Sequence, residues 1–360
     1  MSQHVRQIWI VDDEPLITRA LQRLIGRLLR RGTAVGAFEL QADNSPRRAI
    51  ETMRQNGHDV SLVIADIMMP ELNGLDFLHE VKAMHPLAPR IILTGYADKE
   101  NAIRALNELD LFAYIEKPWD DEQFRTLVGK GLQQYRQNRM EVMFRRYVPT
   151  EVIEAYIDQS DATILAGQPG EATILFLDFV EFTRLSEKMA AVDVVRLLNA
   201  YLAEMVDIVQ AHGGILDKFT GDGLMAVFGM PRTAGDAAAD AWHGVQAALE
   251  IVACVAEMNA RRPGEPQLRV RIGLNTGPVV AGNIGSPRRV NYTVVSDAVN
   301  TASRIEDAAR HLIGDAIGCV VVSESTYRLV QPRANGLRAE AVGPVALRGK
   351  ETAVGLYRIF

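Results

Sequence analysis

The sequence predicts an α/β domain built on a doubly wound parallel sheet, followed by a domain of the α+β class. Three observations carry this. Over the first 130 residues, short apolar runs alternate with helical patterns. Those runs are apolar throughout, as strands covered on both faces must be. After residue 170 the order becomes strand, helix, hairpin, helix, strand, which does not build a second parallel sheet.

In the first part the apolar runs are 7–11, 33–40, 60–65, 90–93 and 112–115. Helical patterns occupy 15–31, 45–56, 75–84 and 98–108 between them. Ser45-Pro46 and Asp98 read as helix starts, from the capping preference and the tolerance of proline in a first helical turn. Residues 120–157 place Leu127, Leu132, Tyr135, Met143, Phe144 and Val148 among charged and amide side chains. This reads as one long amphipathic helix broken near Pro149, then a short helix from Thr150. Gly167-Gln168-Pro169-Gly170 reads as a turn. The second part opens on a strand at 172–177 and a helix at 193–211. A hairpin follows, 215–219 and 224–228, around Gly221-Asp222-Gly223. A helix at 235–259, strands at 268–275 and 291–295, a helix at 297–310 and late short strands complete it. The expected division is residues 1–130, a helical linker at 131–170 that pairs helices and carries the signal, and residues 171–360.

Composition excludes several functions. The 360 residues carry 39 Lys+Arg against 45 Asp+Glu, a net charge of −6. Polyanion binding normally needs a basic excess, so no nucleic acid partner is expected. Cys254 and Cys319 form no CxxC pair, which excludes a zinc ribbon or a disulfide framework. No HxxxH or HExxH spacing appears. No apolar run approaches the roughly 18 residues of a spanning helix, and the N-terminus has no apolar signal core. A cytoplasmic protein without a membrane span is expected.

Two constellations carry chemistry. Asp12, Asp13, Asp66, Thr94 and Lys117 each stand at or just after the C-terminal end of an apolar run. In a doubly wound sheet those ends meet in one crevice. Three carboxylates there call for a divalent cation, and oxygen-only ligands suit Mg²⁺. Lys117 supplies a counter-charge and Thr94 a hydroxyl. Phosphoryl transfer onto a carboxylate fits this set. The second constellation is Asp178, after the strand at 172–177, and Asp222, between two glycines of a hairpin. Carboxylates at adjacent strand ends can hold two divalent cations, which activate an attacking oxygen and steady a leaving phosphate. Flanking glycines let backbone approach a ligand closely.

At these residues two resemblances become plain. Asp12-Asp13-Glu14, Asp66-Ile67-Met68-Met69-Pro70, Thr94-Gly95 and Tyr114-Ile115-Glu116-Lys117-Pro118 resemble the receiver domain of bacterial response regulators, over about residues 5–130. The resemblance implies Asp66 as phosphoacceptor, with Asp12, Asp13 and the Met68 carbonyl holding Mg²⁺. It implies Thr94 and Tyr114 as switch residues and Lys117 as the phosphate partner, with a sensor histidine kinase as phosphodonor. The segment between Asp13 and Asp66 is several residues longer than usual.

Phe176-Leu177-Asp178-Phe179, Lys218-Phe219-Thr220-Gly221-Asp222-Gly223, Gly273-Leu274-Asn275-Thr276-Gly277 and Val299-Asn300-Thr301-Ala302-Ser303-Arg304 resemble the class III nucleotidyl cyclase catalytic domain, over about residues 170–360. That family implies a ferredoxin-like core and a site shared by two copies, hence a homodimer. Asp178 and Asp222 would bind two Mg²⁺ or Mn²⁺ with the Phe179 carbonyl, and Thr183 would contact substrate. Lys218 and Thr293 would read the purine, Asn300 would orient the ribose, Arg304 would stabilise the transition state, and Lys350 would contact the terminal phosphates. Adenine presents an acceptor at N1 and a donor at N6. Lys218 donates and Thr293 can accept, so ATP is the expected substrate. A guanylate cyclase and a non-catalytic dimeric phospho-switch are the alternatives. Glu181 and Ser296 stand where the family usually has glycine.

Overall fold

The computed structural model describes residues 6–30, 38–56, 59–95, 110–145, 148–149, 152–154, 167–231, 235–286, 289–333, 336–348, 350 and 352–360. The chain divides into two units, Met1–Tyr147 and Val148–Phe360.

In the first unit, strands β1 (Arg6–Val11), β2 (Phe38–Asp43), β3 (Asp59–Asp66), β4 (Arg90–Thr94) and β5 (Ala113–Glu116) form a parallel sheet in the order β2-β1-β3-β4-β5. Helices α1 (Pro15–Arg30), α2 (Pro46–Asn56), α3 (Gly74–Met84) and α4 (Asp121–Arg145) cover it. Alternation along β1 decides which residue faces which layer. Trp9 and Val11 join the cluster containing Ile50, Met53, Phe77 and Leu78 of α2 and α3. Ile8 and Ile10 join the opposite cluster, with Leu21 of α1 and Phe124 and Val128 of α4. Strand order changes direction between β1 and β3, which opens the crevice at their C-terminal ends.

Of the strand expected at 33–40, residues 38–40 fall in β2, which runs on to Asp43. Leu40 and Ala42 of that strand pack beside the α1–α4 cluster. Residues 33–37, the expected helix at 98–108 and most of the short helix from Thr150 lie outside the described residues. Helix α4 continues unbroken past residue 130. Leu132 and Tyr135 are buried in the first unit, whereas Met140, Val142, Met143 and Phe144 are exposed.

The second unit contains β6 (Gln168–Phe179), α5 (Phe182–Ser186), α6 (Ala191–Ala211), β7 (Ile215–Thr220), β8 (Gly223–Phe228), α7 (Ala237–Arg261), β9 (Val270–Ser286), β10 (Arg289–Val295), α8 (Asp297–Ala309), β11 (Gly318–Ser323), α9 (Glu324–Val330), β12 (Ala339–Val345) and β13 (Val354–Ile359). The sheet order is β12-β13-β11-β9-β6-β8-β7, with β10 paired to β9. Every pairing is antiparallel except β11 with β9. Leu175, Leu177 and Phe179 of β6 pack with α6 and α7, whereas Ala172 and Ile174 pack with Ala298 and Ala302 of α8.

Two strands are longer than their sequences promise. Gln168-Pro169-Gly170, expected as a turn, begins β6, and β9 runs through Gly277-Pro278 to Ser286. The ladders explain why. Strand β8 pairs with β6 only at Thr173–Leu177, so Pro169 lacks a neighbour on that side. Pro278 falls between the last β11 partner, Leu274, and the first β10 partner, Val280. Each proline thus stands where no ladder bond is asked of its nitrogen.

Beyond Pro278 the β9–β10 ribbon curls. Thr293 pairs with Gly282, yet its side chain bonds Lys218. Lys218 lies across the sheet from Gly273, through Met225 and Phe176. A straight strand would hold Gly273 and Gly282 about 30 Å apart, so the ribbon turns back toward β7.

Candidate active site and phosphoacceptor site

In the first unit the strand ends assemble an acidic cluster. One carboxylate oxygen from each of Asp12, Asp13 and Asp66 lies within 4.8 Å of the others. Asp12 is fully buried and accepts from the Glu14 backbone N–H at 2.9 Å. Lys117 Nζ pairs with Asp12 Oδ2 at 2.9 Å and with Asp66 Oδ1 at 2.7 Å. Burial pushes the Asp66 carboxyl up from its ordinary value, and Lys117 pulls against that. Gly74 at the start of α3 crowds the Asp66 backbone: a Cβ there would stand 2.0 Å from the Asp66 carbonyl oxygen. The sheet thus brings together four of the expected residues.

Thr94 ends β4, is buried, and donates to the Gly95 carbonyl at 3.0 Å. Tyr114 packs beside the α2–α3 cluster and the Met68 side chain is exposed. Three clustered carboxylates are a hard-oxygen donor set, which fits Mg²⁺.

In the second unit, Asp178 near the end of β6 and Asp222 in the β7–β8 turn come together through a close backbone approach. A Cβ on Gly223 would stand 2.0 Å from the Leu177 carbonyl oxygen. Burial first, and the facing Asp222 charge second, push the Asp178 carboxyl up. Two residues absent from the sequence-based set act here. Arg271 of β9 donates through one nitrogen to Asp178 and through Nε to Glu306 of α8. Burial pushes Glu306 up, with Arg271 working against it. The available signal was Arg271 itself, a charge between the apolar residues Val270 and Ile272.

Helix α8 lies close on β9: a Cβ on Gly273 would stand 2.2 Å from the Glu306 nitrogen. That contact seats the helix bearing Asn300 and Arg304, which share a face four residues apart. Asn300 is exposed. Arg304 keeps a buried nitrogen, Nη1, with no partner among the described residues. Ser296 caps α8, its hydroxyl accepting from the Val299 N–H at 3.2 Å. Lys350 pairs with Asp297 beside a cavity of about 610 Å³ that Thr276, Ser296 and Ser325 also line.

Lys218 and Thr293 meet as expected. Lys218 Nζ donates to Thr293 Oγ1 at 3.2 Å, and Thr293 Oγ1 donates to Asp217 Oδ2 at 2.9 Å. Asp217 was not foreseen. Thr183 lies exposed on α5, and Glu181, just before it, has φ +56°. This left-handed backbone explains why glycine is usual at that position.

The model of the adenylate and guanylate cyclase catalytic domain matches residues 165–359, over half of the chain. The chain belongs to the adenylate and guanylate cyclase family. Ahead of its cyclase domain stands a receiver domain, matched by the response regulator receiver model at residues 8–129. An adenylate cyclase of Anabaena cylindrica is 35% identical over 220 residues, 60% of this chain and 42% of that protein. Adenylate cyclase 1 of Rhizobium meliloti (strain 1021) is 29% identical over 221 residues, 60% of this chain and 31% of that one. The chain therefore spans less than half the length of these curated relatives. A solved bacterial light-regulated adenylyl cyclase shares the fold, with a TM-score of 0.56 at 24% identity, covering 69% of this chain and 68% of that one. No helix among the described residues is long and apolar enough to cross a membrane.

Proposed function

We propose that the protein is a phosphorylation-regulated adenylate cyclase, forming 3′,5′-cyclic AMP and pyrophosphate from ATP as the output of a two-component system. The observation that carries the choice of ATP is the Lys218–Thr293 pair, 3.2 Å apart. It offers a donor for adenine N1 and an oxygen for the 6-amino group. Guanine, with the opposite polarity on that edge, finds no such match.

Asp178 and Asp222, with the Phe179 carbonyl, offer oxygen ligands for two Mg²⁺ or Mn²⁺, which when bound lower the pKa of the ribose 3′-hydroxyl. That oxygen attacks the α-phosphorus and pyrophosphate leaves. Asn300 orients the ribose, and the Arg304 guanidinium meets the charge that grows on the phosphoryl oxygens. Thr183 and Lys350 flank the phosphates.

The active enzyme is a homodimer in this reading. Val280, Ile284 and Val295 are exposed on the ribbon face that also carries Thr293, apolar surface that suits a second copy. The phosphodonor is a sensor histidine kinase, acting on Asp66. Residues 131–170 serve as the link between the domains, the exposed apolar side chains at the end of α4 being its pairing surface.

The test is to incubate pure protein with ATP or GTP and Mg²⁺ or Mn²⁺ and identify the cyclic product. ATP is expected to be strongly preferred. Lys218→Glu should lose roughly 5- to 150-fold of ATP turnover, as for one well-placed hydrogen bond. Equal wild-type activity on both nucleotides refutes the reading.

A further inference from the structure

Asp217 is the extra residue of a β-bulge. Across the β7–β8 ladder Leu216 faces Ala226 and Lys218 faces Met225, so Asp217 has no partner of its own. Successive side chains of a regular strand point to opposite faces. Here they converge, because a bulge re-aims the residue it carries: Asp217 and Lys218 both reach Thr293 Oγ1. The Asp217 side chain is 3% exposed and that of Lys218 is 50% exposed. The carboxylate is the buried member of the group, and the ammonium is the one presented to solvent.

Counting donors and acceptors then fixes a polarity. A carboxylate only accepts, and a hydroxyl has one proton and two lone pairs. Thr293 places its proton on Asp217 Oδ2 and accepts from Lys218 Nζ. What it has left is a lone pair. Lys218 Nζ donates one N–H to Thr293 and forms an ion pair with Asp217 Oδ2, 3.2 Å away. What it has left to offer is N–H only, since an ammonium has no acceptor. The group therefore shows a ligand one donor and one acceptor, and it cannot exchange them while Asp217 holds the threonine proton.

We propose that Asp217 is a specificity-determining positioning residue: it locks the Thr293 hydroxyl as an acceptor, so that the site takes a 6-aminopurine nucleotide and rejects a 6-oxopurine one. Without that carboxylate the hydroxyl turns freely and can donate to a 6-oxo group. This rests on the reading of Lys218 and Thr293 as purine contacts, and it adds a residue that touches no substrate.

The test measures binding of 3′-deoxy-ATP and 3′-deoxy-GTP, which lack the attacking hydroxyl, by calorimetry with Mg²⁺. The proteins are the full-length wild type, Asp217→Leu, Thr293→Ala and the double variant; leucine matches the branched shape of aspartate but offers no acceptor. Asp217→Ala stands in should Asp217→Leu show no cooperative thermal transition. The wild type should favour the adenine nucleotide. Asp217→Leu should reduce that preference by roughly 5- to 150-fold, largely through tighter binding of the guanine nucleotide, an effect that loosened packing would not produce. In the Thr293→Ala background the same change should move the ratio by less than about twofold. A wild type that binds neither nucleotide, or prefers guanine, overturns the purine reading and this inference with it. An adenine-preferring wild type whose ratio survives Asp217→Leu overturns the role of Asp217 alone. So does an equal fall in both backgrounds, since the effect would then bypass Thr293.

Discussion

Arg271 joins the half-buried Asp178 to the buried Glu306 in a single ion-pair chain, with Asp222 as a further negative charge facing Asp178. Removing the guanidinium leaves the buried Glu306 carboxylate without compensation, and breaking a buried pair typically destabilises by about 3–5 kcal/mol. Arg271→Met should therefore lower the thermal midpoint of the cyclase domain. Added Mg²⁺ should raise that midpoint more in the variant than in the wild type, since binding to the folded state stabilises it and no fixed cation then competes for Asp178. Thermal unfolding with and without Mg²⁺ checks both statements.

Glu181 holds φ +56° on a side chain that disfavours it. Its ion pair with Arg184, at 3.8 Å between exposed groups, offsets little. Glu181→Gly should stabilise the domain by about 1 kcal/mol. It should also lower KM for ATP by removing a carboxylate near the polyphosphate. A thermal midpoint that does not rise, or a KM that increases, contradicts this account.

A phosphoryl group on Asp66 would add charge within reach of Lys117, which already bonds that carboxylate at 2.7 Å. Beryllofluoride or acetyl phosphate should change the rate of cyclic nucleotide formation, and Asp66→Asn should abolish the response. An unchanged rate with proven beryllofluoride binding would show that the two domains are uncoupled.

A shared site makes a prediction about mixtures. Asp178→Ala and Arg304→Ala should each be nearly inactive. In co-expressed heterodimers one site has lost both groups and the other keeps both, so activity should return in part. Verified heterodimers as inactive as the single variants would place the whole site within one chain.

The parts of the phosphoacceptor site that stand at strand ends were legible from the residues. Asp12, Asp66, Thr94 and Lys117 follow apolar runs, and in a parallel sheet that position alone sends them to one crevice. Asp178 and Asp222 were marked instead by the resemblance to the cyclase domain, since Gly221-Asp222-Gly223 alone reads as a common turn; the fold adds the close approach of Gly223 to Leu177. The pairing of Arg271 with Glu306 was not legible, because it joins residues 35 apart across a helix–sheet contact. Asp217 was hidden differently. Beside Lys218 it reads as one more charge near a turn, and a bulge belongs to the pairing of two strands rather than to either alone. The prolines misled for a related reason: Pro169 and Pro278 punctuate local sequence but fall in gaps of the ladder.

In the reading proposed for Lys218 and Thr293, the curl of the β9–β10 ribbon would make substrate choice an elastic property. Lys218 and Thr293 are 75 residues apart in sequence, and only the bend after Pro278 brings them into register. The twist between neighbouring strands ranges over roughly 10–35° among sheets, and a Cβ at Gly282, opposite Thr293, would stand 2.9 Å from Gly167 Cα. Flattening the ribbon by an ångström or so would separate hydroxyl from ammonium with every named side chain still in place. A lineage could drift between nucleotides by such mechanical changes, its motif residues untouched.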